Sequence, residues 1–265
     1  MNIHFIRNAT LIIHSGEHHI LVDPMLGPKG SGPSFSFIRH KSQRNPIVDL
    51  PESAAETLKD ITCGLVTHRH VDHLDPAGIQ LLAERKLPVY CPGWDESHLQ
   101  EKGLTAIAVP LNQHRDFLGG KITAFEAQHG YGLIGKLMGR GVGYLLELPS
   151  EPSLYLSGDT VLTPTVRRVL TELQPDIAVL AAGSASLDVG KPILMPMPEM
   201  VEFVELAPGK VIATHLEALN HCPVKRTQFR GAMIEAGLAH KVFTPDDGNV
   251  LTFAHSEGTL SPETR

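Results

Sequence analysis

The segment HRHVDH, from His68 to His73, places four good metal ligands within six residues and constrains the fold more than any other feature of the chain. It directly follows a short apolar run at residues 64–67, which predicts a buried strand that ends in a polar loop. Such a loop lets His68 and His70 point one way and Asp72 and His73 another, so that it can serve two neighbouring metal ions. Imidazole and carboxylate ligands suit Zn²⁺, Mn²⁺ and Fe²⁺.

Three further candidate ligands, His129, Asp159 and His215, each come directly after an apolar, β-rich run. In α/β folds, sites are built at the carboxyl ends of strands. Any one of these residues alone is weak evidence, because a single histidine after a strand is usually an ordinary polar residue. Together with the His68 segment they predict a metal centre at one edge of the sheets.

The order of apolar runs predicts an α/β fold with two sheets packed face to face and helices outside. Strands are predicted at residues 3–6, 9–13, 19–22, 64–67, 87–91, 106–109, 121–128, 142–148, 154–157, 177–180, 210–214, 241–243 and 249–253. Helices are predicted at residues 76–84, 95–102, 164–173, 198–206 and 226–236. We predict a single domain over residues 1–255 and a polar tail at residues 256–265.

Three irregular segments leave alternatives open. The Gly/Pro/Ser-rich residues 27–46 form either a functional lid or a surface excursion. The Gly-rich residues 130–143, with Lys136 and Arg140, either cover the site and meet an anionic or amphiphilic substrate or form a plain connection. Residues 183–186, Gly-Ser-Ala-Ser, present backbone N–H groups to a substrate anion or form only a turn.

Composition excludes several classes of protein. The formal net charge is −6 and no run of Lys and Arg occurs, so no nucleic-acid partner is expected. Cys63, Cys91 and Cys222 form no C-x-x-C pair, which predicts buried, reduced thiols rather than a thiolate zinc site. Neither a signal-peptide pattern nor a membrane-spanning run is found, and the cytoplasm is the expected location.

The H-x-H-x-D-H segment followed in order by His129, Asp159 and His215 resembles the metallo-β-lactamase superfamily over nearly the whole chain. The runs from Asn8 to Pro24 and from residue 213 to His221 are similar to one branch of it. That branch contains ascorbate-6-phosphate lactonase and the N-acyl-phosphatidylethanolamine phospholipase D-like proteins. Arg7-Asn8 departs from the Gly-His usual in this branch, which indicates that one histidine near the site is absent.

The resemblance implies a four-layer αββα sandwich and assigns the metal ligands. The first metal would be held by His68, His70 and His129, the second by Asp72, His73 and His215, and Asp159 would bridge both. Asp23 would orient a ligand histidine, since a ligating imidazole needs a partner for its other nitrogen. The alternative for Asp23 is a turn-forming residue before Pro24.

By the same resemblance the chain is expected to be a metal-dependent hydrolase with two divalent ions, zinc or manganese first and iron third. A hydroxide shared by the two ions would be the nucleophile, and Asp72 or Asp159 would accept its proton. His221 is the candidate catalytic acid or substrate contact, with a capping or surface role as the alternative. His98 and His114 are interpreted as structural.

The expected substrate is a small molecule, an anionic one included, and a lactone or related ester is the first choice. A phosphodiesterase acting on a small or lipid-derived phosphodiester is the alternative. Two hypotheses of another class remain: a diiron oxidoreductase and a non-catalytic binding protein on the same fold. Arg69 argues against the diiron enzyme, because redox relatives often have Glu there. The oligomeric state is not predicted.

Overall fold

The strands form two mixed sheets of seven strands each in the computed structural model, which describes residues 1–254. The first sheet has the order β14-β1-β2-β3-β4-β5-β6, and the second has the order β13-β12-β11-β10-β9-β8-β7. In each sheet one half is antiparallel and the other half parallel. The predicted tail at residues 256–265 lies outside the described residues, and the single domain over residues 1–255 stays a prediction.

The elements have the following bounds. The strands are β1 Asn2–Arg7, β2 Thr10–Ser15, β3 His18–Val22, β4 Cys63–Leu65, β5 Pro88–Pro92, β6 Thr105–Val109, β7 His114–Phe117, β8 Gly120–Gln128, β9 Arg140–Glu147, β10 Leu154–Leu156, β11 Ile177–Ala181, β12 Lys210–Thr214, β13 Val242–Phe243 and β14 Val250–Thr252. The helices are α1 Ala54–Thr57, α2 Pro76–Glu84, α3 Glu96–Glu101, α4 Gly132–Leu137, α5 Pro164–Arg168, α6 Met197–Leu206 and α7 Arg226–Glu235. None of the helices in this part of the chain has both the length and the apolar character needed to cross a bilayer.

Alternation along the strands builds the core between the two sheets. Leu11 and Ile13 of β2 are buried in this central core, whereas Ile12 between them packs on the opposite face of its sheet. In the second sheet, Ile177 of β11 faces the central core and Ala178 faces away from it. Both faces of each sheet are therefore buried, which explains why consecutive positions of these strands, such as 11–13 and 177–181, are apolar.

Helices cover the two outer faces. Leu82 of α2 and Leu99 of α3 pack with Leu21 against the first sheet. Phe203 of α6 and Phe229 of α7 pack in one cluster with the outward side chains of the second sheet. The predicted αββα sandwich is confirmed.

Most predicted elements form within one or two residues of their expected bounds, and α2 spans the predicted residues. The exceptions are β7, α1 and α4, which the sequence analysis missed. The predicted helix at residues 164–173 is correct in extent but changes to a π-helix over Val169–Leu173. The β2–β3 hairpin turns at Gly16, which has a positive φ.

The reading of residues 130–143 as an irregular loop is wrong, because they form α4 and the start of β9. Six glycines in this stretch hide the helix from a sequence pattern. Gly135 is required there by a close approach, since a Cβ at this position would lie 2.4 Å from the carbonyl oxygen of His129. The glycine content therefore reflects tight packing against the segment that carries a candidate ligand.

Arg7 anchors the irregular residues 27–46 to the first sheet. Its side chain is fully buried, and its Nη atoms donate to the carbonyl oxygens of Val48 at 3.0 Å, Met25 at 2.8 Å and Gly27 at 2.9 Å. The next residue, Asn8, donates from Nδ2 to the carbonyl oxygen of Asp72 at 2.9 Å. The Arg7-Asn8 pair, at which the chain departs from the Gly-His of similar proteins, thus has structural contacts of its own.

Replacing Arg7 tests this anchor. We expect Arg7→Ala to lower the free energy of unfolding by roughly 3 kcal/mol or more, because three buried carbonyl groups lose their donor. Arg85→Ala is the matched control: Arg85 also donates to two backbone carbonyls, those of Leu58 and Lys59, but it is exposed. Its loss should change stability by about 0.5 kcal/mol or less. Equal midpoints of the two variants in urea unfolding would contradict the anchoring role.

Candidate metal centre

The candidate ligands converge at one edge of the molecule because five strands of suitable direction end there. In the first sheet β3 and β4 run parallel, and the segments after them carry Asp23 and the His68 loop. In the second sheet β8, β10 and β12 end at the same edge and are followed by His129, Asp159 and His215. The loops of both sheets therefore meet above the central core.

The fold brings together all seven side chains that the sequence selected, in two groups. One group contains His68, His70 and His129, and the other contains Asp72, His73, Asp159 and His215. Within each group the ligand atoms lie within 4.8 Å of one another, and every residue except the half-buried His70 is buried. This grouping is the one that the resemblance implied, although the role of each residue as a ligand stays a prediction.

Hydrogen bonds fix which nitrogen of His70 and His68 carries the proton. Nε2 of His70 lies 2.8 Å from the carbonyl oxygen of Met138, which can only accept, so Nε2 carries the proton. Nδ1 of His68 lies 3.0 Å from Oγ1 of Thr67, whose own proton is donated to Asp23 at 2.8 Å. Nδ1 of His68 is therefore the donor of that pair, and its Nε2 keeps a lone pair.

Two nitrogen lone pairs consequently face each other. Nε2 of His68 and Nδ1 of His70 are 3.0 Å apart, and in the neutral rings neither carries a proton. Two acceptors at this distance repel each other unless a positive charge lies between or beside them. The geometry of this group thus fits a cation.

Asp23 orients the second group as well as the first. Its Oδ2 accepts from Nδ1 of His73 at 2.8 Å, and its Oδ1 accepts from the backbone N–H of Thr67 at 2.8 Å. Nε2 of His73 is left facing Oδ1 of Asp159 at 3.2 Å. Asp23 therefore contacts a candidate ligand histidine, as the resemblance implied, and that histidine is His73. It also reaches His68 through Thr67, which the sequence analysis did not foresee.

Asp159 belongs to the second group and also faces the first. Its Oδ2 is 3.6 Å from Nε2 of His129 and 3.6 Å from Nε2 of His215, and the latter nitrogen is 3.5 Å from Oδ2 of Asp72. These separations are too long for hydrogen bonds. They leave a gap lined by nitrogen and oxygen atoms.

Several of these atoms are buried and have no hydrogen-bond partner in the part of the chain that the structure describes. They are Nε2 of His73, both ring nitrogens of His129, Oδ1 of Asp159 and Nε2 of His215. An unpaired buried polar atom lowers the stability of the fold by about 1–3 kcal/mol. A cluster of such atoms therefore needs a compensating interaction. A divalent ion coordinated by imidazole and carboxylate supplies it, and the residues present fit such ions.

The charge states of the ligands agree with this fit. Burial, assisted by His73 and His129, holds the pKa of His68 well below its usual value, so the ring is neutral at neutral pH. Burial opposes the charge of Asp159, but His73 and His215 outweigh it and keep the pKa of its carboxyl well below the usual range. Neutral imidazole and ionised carboxylate are the forms that bind metal.

His73 shows that positive charge is favoured in the second group. Burial lowers the pKa of His73, but Asp159 and Asp23 outweigh burial and raise it to about 10. The carboxylates therefore hold a positive charge at this position. A divalent ion would satisfy the same carboxylates and release the proton.

A cavity of about 210 Å³ opens above the two groups. Its apolar lining is formed by Phe35, Val71, Met138, Leu187 and Ile193, and its polar lining by His70, Asp72, His129, Asp159 and His221. The candidate catalytic residue His221 thus lies in the wall of this cavity, with its side chain buried. His98 on α3 and His114 on β7 belong to neither ligand group, and both were interpreted as structural.

Cys222 is a residue of the centre that the sequence analysis missed. It was correctly predicted to be a buried free thiol, but its Sγ lies 3.3 Å from Nδ1 of His215 and 3.8 Å from Nδ1 of His221. Burial opposes ionisation, but His221 and His215 outweigh it and lower the pKa of Cys222 to about 7. The thiol takes the position at His215 that Asp23 takes at His73. Its place seven residues after His215 was the only signal in the sequence.

Asn220 fixes residues 27–46 over the cavity, which supports the lid reading of this segment. Its Oδ1 accepts from the backbone N–H of Phe35 and from Nδ2 of Asn45, both at 3.0 Å. Its Nδ2 donates to the carbonyl oxygen of Ser36 at 2.8 Å. Phe35 in turn packs edge-on against His221, with ring centroids 4.9 Å apart.

The two other irregular segments also border the site. Met138, just after α4, lines the cavity and accepts from His70. In residues 183–186, the backbone N–H of Ser186 donates to the carbonyl oxygen of His221 at 2.9 Å, so this amide is not available to a substrate anion.

Comparison with known proteins gives the family. The model of the beta-lactamase superfamily domain matches residues 18–216. The chain belongs to the metallo-β-lactamase superfamily. The UPF0173 protein YddR of Bacillus subtilis (strain 168) is 32% identical to this superfamily member over 256 residues, which cover 96% of this chain and 100% of that protein.

Two solved structures resemble this superfamily member over nearly its whole length. One is an isothiocyanate hydrolase from Delia radicum gut bacteria, with a TM-score of 0.86, 28% identity and coverage of 96% of this chain and 100% of that chain. The other is a possible metal-dependent hydrolase from Veillonella parvula DSM 2008, with a TM-score of 0.87, 28% identity and coverage of 96% and 99%. The chain is a metal-dependent hydrolase of this superfamily, and the hypothesis of a non-catalytic binding protein is set aside.

The relay from Asp23 through Thr67 to His68 can be tested by metal affinity. We expect Thr67→Val to weaken zinc binding about 10- to 100-fold, because His68 loses the acceptor that holds its ring and its tautomer. The measurement is competition with a chromophoric chelator, on protein shown by circular dichroism to be folded.

Thr57→Val is the matched control, since Oγ1 of Thr57 makes the same kind of hydrogen bond to His4, 3.0 Å from its Nδ1 and outside the metal centre. This variant should bind zinc as the unchanged protein does. Equal affinities of the Thr67 and Thr57 variants would show that the relay has no role in metal binding.

Proposed function

We propose that the chain is a dinuclear metal hydrolase that acts on a small, uncharged molecule at an electrophilic carbon atom. The observation that carries the proposal is the pair of unpaired ligand groups, joined by Asp159, at the base of a mostly apolar cavity. The ligand groups support the metal chemistry, and the cavity lining supports the substrate class.

The proposed ligands follow the two groups. The first ion would be held by His68, His70 and His129, the second by Asp72, His73 and His215, and both would share Asp159. This set contains imidazole and carboxylate but no thiolate, which suits Zn²⁺ or Mn²⁺ and also admits Fe²⁺. Two such ions would lower the pKa of a shared water molecule toward neutrality, so that it is available as hydroxide, and would polarise the substrate.

The protein's own groups would handle the protons. Asp72 and Asp159 are buried carboxylates beside the cavity and are the candidates to accept the proton of the attacking water. His221 lies in the cavity wall and is the candidate to donate a proton to the leaving group. Its ring is held in place by Phe35 on one side and by Cys222 on the other.

The lining of the cavity favours an uncharged substrate over an anionic one. Among the described residues, no Lys or Arg side chain lines it, so apart from the proposed metal ions phosphate oxygens would find no cation there. An isothiocyanate is the first candidate, since a relative of known structure is an isothiocyanate hydrolase. A lactone or related ester is the second candidate, and a phosphodiester is the third.

Hydrolysis of an isothiocyanate needs the groups found here. The oxygen of water bonds to the central carbon of R–N=C=S, the carbon–nitrogen bond breaks, and the nitrogen takes up the two protons of the water. The products are the amine R–NH₂ and carbonyl sulfide. The reaction therefore requires one group that removes protons from water and one that delivers them to nitrogen.

A substrate panel tests the proposal. Purified protein with measured metal content should hydrolyse an alkyl isothiocyanate, a γ-lactone or a carboxylic ester at least 100-fold faster than bis(p-nitrophenyl) phosphate. Chelation should abolish turnover, and added Zn²⁺ or Mn²⁺ should restore it. Faster turnover of the phosphodiester would overturn the substrate class, and full activity of metal-free protein would overturn the metal chemistry.

The role of His221 has a separate test. We expect His221→Gln to lower kcat by roughly 100-fold or more and to remove the alkaline limb of the pH–rate profile, because the leaving group loses its proton donor. Metal content should not change. His114→Gln, on the exposed strand β7, is the control and should leave kcat unchanged. If His221→Gln loses bound metal together with activity, the role of His221 as proton donor is refuted.

A further inference from the structure

A second cavity, of about 480 Å³, lies beside the cavity above the metal centre. The two cavities share three wall residues: Phe35, Val71 and Asp72. The remaining walls of the second cavity come from residues 25–46 and from the first turns of α2. Nothing in the proposed reaction uses this space.

The size of the two cavities indicates a division of roles. Sites for small organic molecules typically measure about 300–1,000 Å³. The cavity above the ligand groups, at about 210 Å³, falls below this range, whereas the second cavity lies within it. The first can hold a compact reacting group, and any larger part of a substrate must lie elsewhere.

The chemistry of the second cavity selects an uncharged, apolar occupant. Its walls include Met25, Pro28, Pro33, Phe35, Pro46, Val71 and Ala77. Within residues 1–254, no Lys, Arg or His lines it, and its charged residues are Asp72 and Asp75. The carboxylate of Asp75 already accepts from the backbone N–H groups of Gly27 at 2.6 Å and Gly78 at 2.8 Å. An anionic group would meet two carboxylates and no cation.

The walls are also fixed before a ligand arrives. Arg7 holds Met25 and Gly27 through their carbonyl groups, and Asn220 holds Phe35 and Asn45. A cavity whose walls are already ordered binds an apolar group without a further cost of loop ordering. Burial of that group then contributes roughly 25 cal/mol for each Å² removed from water.

We infer that the second cavity binds an uncharged, apolar group carried by the substrate, while the reacting carbon lies above the metal centre. The substrate is then an elongated molecule that passes Phe35 and Val71, and its selectivity is set by the length and neutrality of this apolar group. This inference rests on the proposed function, because it assigns the remainder of the same substrate.

A chain-length series tests the inference. The probes are methyl, butyl and hexyl isothiocyanate, the matching alkyl acetates, and 6-isothiocyanatohexanoate, which adds a carboxylate to the long chain. We expect kcat/KM of the unchanged protein to rise at least tenfold from the methyl to the hexyl compound. The carboxylate analogue should lose that gain.

Gln80→Trp fills the cavity from α2, where Gln80 is exposed and lines the space. It should lower kcat/KM for the hexyl compound at least tenfold. The kcat/KM of the methyl compound should change by no more than about twofold, because this short substrate does not reach the second cavity. Gln100→Trp, the same substitution at an exposed position of α3, should change neither. Ala77→Leu is a second way to fill the cavity if the tryptophan variant is poorly folded.

The failure of this inference is distinguishable from the failure of the proposed function. Turnover without a dependence on chain length, or with a dependence that Gln80→Trp leaves intact, overturns the inference alone. If no probe is hydrolysed, the proposed function fails, and binding decides the inference. Saturable binding of 4-phenylbutan-1-ol, measured by NMR and weakened at least tenfold by Gln80→Trp but not by Gln100→Trp, supports the cavity assignment, and its absence refutes it.

Discussion

A single buried carboxylate, that of Asp23, sets the arrangement on which the centre depends. It accepts directly from His73 and reaches His68 through the hydroxyl of Thr67, so one residue fixes a histidine in each ligand group. Because Nδ1 of each ring is held in this way, Nε2 of each ring points into its own ligand group. A rotation of either ring would break a short hydrogen bond in a place that water does not reach.

In the second sheet, a different chemical group supports the candidate ligand His215. His215 has a thiol, Cys222, where His73 has a carboxylate. The same loop carries Asn220 and His221, so one stretch of eight residues contributes a candidate ligand, its supporting group, the fixing point of residues 27–46 and a candidate proton donor. A displacement of residues 27–46 would therefore disturb the position of His221 through Phe35 and Asn220.

The parts of the centre that could be predicted are those marked by a pattern of neighbouring residues in the sequence. The ligands were found because each follows a strand, and the layers were found because alternation and helical periodicity are strong in this chain. The roles of Thr67 and Asn220 were missed because their partners Asp23 and Phe35 are distant in sequence. The role of Cys222 was missed because its contact with His215 depends on how the loop between them turns. The helix α4 was missed because Gly132 and Gly135 resemble a loop, whereas close packing on His129 is what demands Gly135. The second cavity has no signature in sequence, since only the fold brings residues 25–46 against the start of α2.

The division of the ligands between the two sheets has a consequence for how the protein matures. The loop after β4 supplies four of the seven candidate ligands, but each group is completed only by a residue from the second sheet. The backbone N–H of His215 also donates to the carbonyl oxygen of Asn8, near the start of the chain. During synthesis on the ribosome, a chain that still lacks residue 215 therefore has an incomplete second group and an unpaired carbonyl at its first hairpin. If the second group binds a metal ion as proposed, that ion can find its full set of ligands only after synthesis has passed residue 215.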